Sequence, residues 1–505
     1  MRGTAEQQIS FTSIDIICQE LLDEEGFLPT LREARGTVFS DEDFDALYPS
    51  QRGRPSHPPS VLAALLLAQL FYGISDREAE RRSRVDLSFK DALGLPLEHR
   101  GIPHVCLVEF RARVVKHEMA GFFNKKLLEV AKRAGVIGHR RVVDSTGIAD
   151  CVVTMDTITL ITSAARRCLE LLSTLDGERE SALRSSLSRS DYDEQAKPQI
   201  NWSQPQERHV LVNEIFTDAT TIIAACASFE DPVLDEAVAL LRVVAAQDLE
   251  EDEDGSVKIR QGVAKDRVIS TVDVDARHGH RSRHDRYDGF KAHLATDVDS
   301  DLITAARASL ATTSDAEVLP VLLDADPVPI AEVIADTHYG DAKTRVDLVT
   351  RRIELVAPAM PVSSKAGLFS KDDFGIDLEQ MTVTCPAQVT VSISRTGKAK
   401  RTQVHFREHC TNCRLKSHCT TRAGGRIIEI NPAEELLLAA RKARWTKEFR
   451  DRYRERARSE RKNAQLKFRT QKIPWHGLVK ADAWVQIRVA ALNLDKMGRI
   501  PGLIG

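Results

Sequence analysis

A chain of 505 residues, 42% hydrophobic and 29% charged, is long enough for two or three domains with a sizeable core and reads as soluble and globular. Its net charge of −3 excludes a protein drawn to nucleic acid by bulk charge, so any such surface must be local. The longest apolar run, Val61–Tyr72, falls far short of the roughly 20 residues of a membrane span, and Met1–Ser10 lacks the apolar core of a signal peptide. The expectation is an intracellular protein with no membrane partner, whose nine cysteines are thiols or metal ligands rather than disulfides.

Residues 1–135 read as mostly helical. Pro58-Pro59 opens a helix through Val61–Tyr72, and Gly73 ends it. Ser75-x-x-Glu78 is a capping box that starts the next. His104–Met119 and Phe122–Ala134 supply two more helices, with Gly135 as a stop. Short helices around tight turns suit a helix-turn-helix that reads DNA, and Arg52, Arg54, Arg81 and Arg82 fit that use. A helical bundle serving oligomerisation is the alternative.

At Arg140–Thr146 the period changes to a short β-branched run with an acid, Asp144, at its end. Residues 151–265 then interrupt any sheet with a helical insertion, including amphipathic helices at Ile158–Leu175 and Asp235–Ala246. Ser185–Gln206 reads as a polar loop, and Asp248–Asp254 as an acidic run. A basic, His-rich loop at Arg277–Arg286 suits phosphate contact. Strands return at Tyr287–Asp297 and Leu302–Leu310. A helix at Asp315–Leu323, a strand at Glu332–Asp336 and a helix from Asp341 follow. Strand, acid, turn and helix at Asp336 make it a second candidate carboxylate, while Asp341 reads as a helix cap.

Residues 360–430 form a second insertion of small β type. The predicted hairpin runs Val389–Arg395, turns at Thr396-Gly397 and returns through Thr402–Phe406. It would bring Cys385 back towards Cys410, Cys413 and Cys419. Four thiols could close a tetrahedral structural zinc site; unliganded thiols in a small β module are the alternative. The other five cysteines, Cys18, Cys106, Cys151, Cys168 and Cys226, read as core residues.

From Arg441 to Thr470 there are 13 Lys/Arg against 4 Asp/Glu, a net of +9 by subtraction. Within this stripe Tyr453–Lys467 carries no Gly or Pro and should be helical. Tyr453, Arg456, Glu460 and Lys467 are spaced by three, four and seven, so a continuous helix puts them on one face. A last amphipathic helix is expected near Ala481–Leu494.

Tyr453-x2-Arg456-x3-Glu460-x6-Lys467 matches, without a gap, the Y-R-E-K signature of DDE transposases of bacterial insertion sequences. Nearly the whole chain resembles the insertion-sequence family numbered eleven eighty-two. The resemblance implies an α/β catalytic core of RNase H-like (DDE) type with a helical N-terminal domain, a helical insertion and a small Cys-rich β insertion. The implied domains are a DNA-binding one at 1–135 and a catalytic one at 136–500, interrupted at 151–265 and 360–430. The family's first acid sits in an Asp-Ser/Thr-Thr context, here Asp144-Ser145-Thr146, and its second in the Asp336-Thr337-His338-Tyr339-Gly340 context.

On that reading Asp144, Asp336 and Glu460 are catalytic and hold Mg²⁺ or Mn²⁺ in a two-metal site for in-line phosphoryl transfer. Tyr453, Arg456 and Lys467 contact DNA. The implied activity is binding of terminal inverted repeats, metal-dependent cleavage and strand transfer into target DNA by a homodimer on DNA, in a bacterial cytoplasm at the nucleoid. The alternatives are a metal-dependent nuclease of the same fold and a non-catalytic DNA-binding regulator derived from a transposase.

Overall fold

The computed structural model describes residues 1–505 apart from 5–13, 51, 195, 254, 283, 363–366, 395–401, 471 and 505. At its centre is a mixed sheet. The strand Arg140–Ala149 pairs antiparallel with Arg286–Asp297 on one side and parallel with Glu332–Ala335 on the other. Ile303–Leu310 extends the antiparallel side and Glu354–Val356 the parallel side. The expected strand at Arg140–Thr146 is therefore longer than its β-branched run. It continues to Ala149, and Asp144 lies in its middle, because Arg286–Asp297 pairs with it along its whole far half.

Alternation along this strand decides what each face holds. Val142 packs with Ile334, Val356 and Val298 beneath Phe449 and Tyr453. Val143 points the other way, into a cluster with Ala335, Leu319, Leu322 and Leu348 from the helices Asp315–Asp324 and Ala342–Thr350. Asp144, two residues from Val142, thus shares the face on which the basic stripe packs. Arg141 is fully buried and anchored by carboxylates of Asp297 (2.7 Å) and Asp326 (2.6 Å).

The last helix, Leu478–Met497, is longer than expected and is not amphipathic. It is apolar around most of its circumference because helices pack on several sides of it. The N-terminal helices, this helix and one face of the sheet (Phe290, Leu294, Ile303) share a single apolar core. Arg488 on that helix is buried and donates to carbonyls at two other helix ends: Gln465 (3.0 Å) and Phe468 (2.8 Å) on one, Leu70 and Phe71 (2.8 Å) on the other.

The helices Thr157–Leu175, Gly177–Ser186, Pro205–Cys226 and Pro232–Gln247 pack around a second apolar cluster of their own. The polar stretch 185–206 is a loop only between helices, and Pro205–Cys226 is a long helix its composition did not announce. The His-rich segment is not a loop throughout: Arg277–His280 is an edge strand on Arg286–Gly289. Gly289 has φ +148° and its Cβ would sit 2.4 Å from the carbonyl oxygen of Ile148, so close backbone approach requires glycine there.

In the small β module the expected hairpin does not form. Thr390–Ser392 pairs with Thr382–Thr384, and Thr402–His405 pairs with Ile427–Ile430. The first strand turns back on the preceding one through the short segment Cys385–Val389, and the second finds its partner across a longer connection; the predicted turn at Thr396-Gly397 lies outside the described residues. Among the described residues, no single helix is long and apolar enough to cross a membrane.

Candidate active site

The signature segment is not one continuous helix. Lys447–Tyr453 and Ala457–Lys467 are α-helical, and Arg454–Arg456 between them is a 3₁₀ turn. The tighter turn changes the phase, so the four signature residues do not share one uniform stripe. Tyr453 stacks on Phe449 with ring centroids 5.4 Å apart and half-buries against the sheet. Arg456 reaches Asp144, Glu460 is exposed and pairs with Arg456, and Lys467 reaches further along the strand.

Asp144 is 7% exposed. Its Oδ1 accepts from the Ser145 amide at 3.0 Å, and its Oδ2 accepts from the Ser459 hydroxyl at 2.9 Å and the Asn463 amide at 3.1 Å. An Arg456 guanidinium nitrogen lies 3.9 Å from the same Oδ2. A second Arg456 nitrogen donates to Glu460 Oε1 at 3.3 Å. Burial pushes the Asp144 carboxyl above its usual range against the opposing pull of Ser459 and Arg456, and the nearby Asp336 charge adds to the rise. Arg456 likewise feels Asp144, Asp336 and Glu460. Two acids far apart in sequence, Asp144 and Glu460, therefore approach one guanidinium, and the Asp336 charge lies within its reach.

Asp336 follows directly on the strand Glu332–Ala335 and accepts from the His338 amide (2.8 Å). Its other oxygen meets His338 Nδ1 at 3.0 Å and raises that imidazole's pKa. Asp341 accepts from the Thr344 amide at 2.7 Å and caps the helix Ala342–Thr350. A fourth acid went unnoticed in the sequence. Asp315 accepts from the Ser145 hydroxyl (2.9 Å) and pairs with Lys291 (2.7 Å). Ser459 and Asn463 were also missed; their i, i+4 spacing on the helix carrying Glu460 was the available signal.

Lys467 donates to the Thr146 hydroxyl at 3.0 Å, and Arg281, from the turn after the edge strand, donates to the same oxygen. Two cations from distant segments thus meet beside the acids. Tyr287 lies flat against Gly147 and Gly279, where a Cβ would come 2.4 and 2.3 Å from its ring. Part of the basic stripe is spent on structure: Arg452 pairs with Glu332 and Glu354, and Arg461 and Lys462 pair with Asp301.

The carboxylates of Asp144, Asp336 and Glu460 offer oxygen ligands, the type a hard divalent cation prefers, and the buried Asn463 Oδ1 has no hydrogen-bond partner. Among the described residues, these acids do not form a group of three ligand atoms within 4.8 Å of one another.

Cys385, Cys410, Cys413 and Cys419 do line one cavity of about 20 Å³, despite the different strand pairing. Burial raises the Cys419 thiol, and the other three cysteines lie close enough to add to it. Their sulphurs are more widely spaced than a zinc ion would hold them, so zinc would have to draw them inward. Cys168 and Cys226 are buried as expected, but Cys151 is exposed because it follows directly on the end of the central strand, where the chain leaves the sheet.

Residues 384–498 match the family model described as "Transposase DDE domain", and residues 18–113 match "Transposase domain (DUF772)". The first span contains Glu460 and all four module cysteines, while Asp144 and Asp336 lie outside both spans. No curated protein and no solved structure matches the chain. The mixed α/β fold is compatible with an RNase H-like transposase, and the two family matches together support a DDE transposase.

Proposed function

We propose that the chain is the transposase of a bacterial insertion sequence of the Y-R-E-K subgroup, acting in the cytoplasm at the nucleoid. It binds the terminal inverted repeats of its element as a homodimer, cuts at the ends and joins the freed 3′-hydroxyls to target DNA. The observation that carries this reading is the approach of Asp144 and Glu460 to Arg456, with the Asp336 charge within its reach. One acid lies on the central strand, one at the end of the neighbouring strand and one on a helix packed across them.

Those acids would hold Mg²⁺ or Mn²⁺, which supplies activation of a water or hydroxyl and charge stabilisation at the leaving oxygen. Ser459 and Asn463 orient the Asp144 carboxylate. Arg456 neutralises the acids and, with Lys467 and Arg281 beside Thr146, supplies positive charge for phosphates. Tyr453 contributes through packing against the sheet beside this surface. The module cysteines would hold zinc as a structural ion.

Repeat binding is assigned to the N-terminal helices. Pro59–Tyr72 and Asp76–Val85 are joined by Gly73-Ile74-Ser75, and the chain bends by 114° between them, the geometry of a helix-turn-helix. Arg77, Arg81 and Arg84 are exposed on the second helix at spacings of four and three, hence on one face.

The test is a cleavage and strand-transfer assay on repeat-bearing DNA with Asp144→Asn. Loss of both products with retained repeat binding is expected; normal cutting by the variant would overturn the assignment.

A further inference from the structure

Where the central strand ends, three separated passages of chain meet. Asp150 and Cys151 leave the sheet towards the helical insertion; Asp273 lies where the chain returns from it; His476 lies just before the last helix. Asp150 pairs with Ile473 as an isolated parallel bridge, which brings the third passage alongside the first. Asp144 is six residues back along the strand, about 20 Å at a strand's rise per residue, so this cluster is distinct from the candidate active site.

The side chains converge. His476 Nδ1 is 3.2 Å from Asp150 Oδ1 and 4.0 Å from Cys151 Sγ. Among the described residues, Asp150, Cys151 and His476 form the one group of three potential ligands whose atoms all lie within 4.8 Å of one another. Asp150 is 2% exposed, and its Oδ2 is buried with no hydrogen-bond donor. Beside it lies another carboxylate, Asp273, whose oxygens accept from the amides of Gly477 (2.6 Å) and Asp275 (3.0 Å). Two buried carboxyls side by side need a proton or a cation between them.

We propose that Asp150, Cys151 and His476 form a second metal site, for a borderline divalent cation of the zinc type, with Asp273 or water in the fourth position. One thiolate, one imidazole and carboxylate oxygen are a zinc donor set, whereas a hard cation would not choose sulphur. Tetrahedral zinc would place sulphur and nitrogen about 3.5 Å apart, and nitrogen and oxygen slightly closer. The observed separations need only a small inward movement. The ion would staple the root of the insertion to the sheet and to the start of the last helix.

The experiment uses the full chain, kept reduced, stripped of metal and titrated with Co²⁺ alone, then with Zn²⁺. Bound metal is measured after dialysis, and cobalt–thiolate charge-transfer absorption is followed during titration. Cys151 is exposed, so Cys151→Ser is expected to fold as wild type, which its circular dichroism checks. Cys151→Ser should bind one equivalent less metal than wild type and lose part of the charge-transfer band; His476→Ala should do the same. Cys413→Ser should keep the portion lost in Cys151→Ser, which separates this site from the module cysteines. Equal metal content in wild type and Cys151→Ser would overturn the proposal.

Discussion

Asp144 shows how a single side chain is tuned. Burial favours its neutral form, and the Ser459 hydroxyl is the largest opposing influence. The carboxylate must be ionised to hold a metal, so cleavage should fall as pH drops through its raised pKa. Ser459→Ala removes a donor to the ionised form, which raises that pKa further. The acid limb of the cleavage–pH profile should therefore move to higher pH, with a loss of about 10–100-fold in rate near its foot, as for other groups that orient metal ligands. Repeat binding measured by gel shift should not change. A uniform rate loss with an unmoved acid limb would mean that Ser459 serves packing alone. His293, in register with Ser145 on the neighbouring strand, is tuned in the opposite sense. Burial lowers it to about 4. A histidine neutral in the fold but protonated in the unfolded chain gives stability that is complete above about pH 6.5 and is lost as pH falls towards 4. The loss is on the order of 3 kcal/mol at about 1.4 kcal/mol per unit. Urea unfolding of His293→Gln at pH 5 and pH 7 should show a smaller difference than wild type.

At the scale of elements, helix stops and caps were legible because they depend on neighbours in sequence. Gly73 is left-handed at the end of Pro59–Tyr72, and Ser75 accepts from the Glu78 amide. Pairing partners were less legible. The strand Thr390–Ser392 pairs with Thr382–Thr384 across the short turn Cys385–Val389, where Gln388 is left-handed, and this hairpin contributes Val383 to the apolar cluster with Phe374 and Phe406. The 3₁₀ turn at Arg454–Arg456 was also hidden, since nothing in its composition opposes an α-helix. The second helix of the N-terminal pair carries its own prediction. Arg81→Ala with Arg84→Ala should weaken repeat binding and flatten the dependence of log affinity on log salt by up to about two phosphate contacts. An unchanged slope would place DNA elsewhere.

For the whole molecule, the order of chemistry along the chain was legible, but its assembly was not. Asp144, Asp336 and Glu460 stood out by local context, whereas bringing Asp336 to the end of the strand beside that of Asp144 depends on 191 residues (336 − 144 − 1) folding out of the way between them. The structure achieves this with two apolar cores. One joins the N-terminal helices to the sheet through Leu478–Met497, and the other belongs to the insertion helices alone. The consequence is a difference in cooperativity. Leu494 and Leu169 are both fully buried leucines, one in each core. Each leucine-to-alanine change should cost about 2–5 kcal/mol where it acts. Leu494→Ala should speed amide exchange in the N-terminal helices and the sheet together, because they share its core. Leu169→Ala should speed exchange within residues 157–247 and leave the sheet strands protected, since the sheet does not draw on that cluster. Exchange mass spectrometry resolves the two patterns; loss of protection in Arg140–Ala149 on Leu169→Ala would show the insertion and the catalytic sheet to be one cooperative unit.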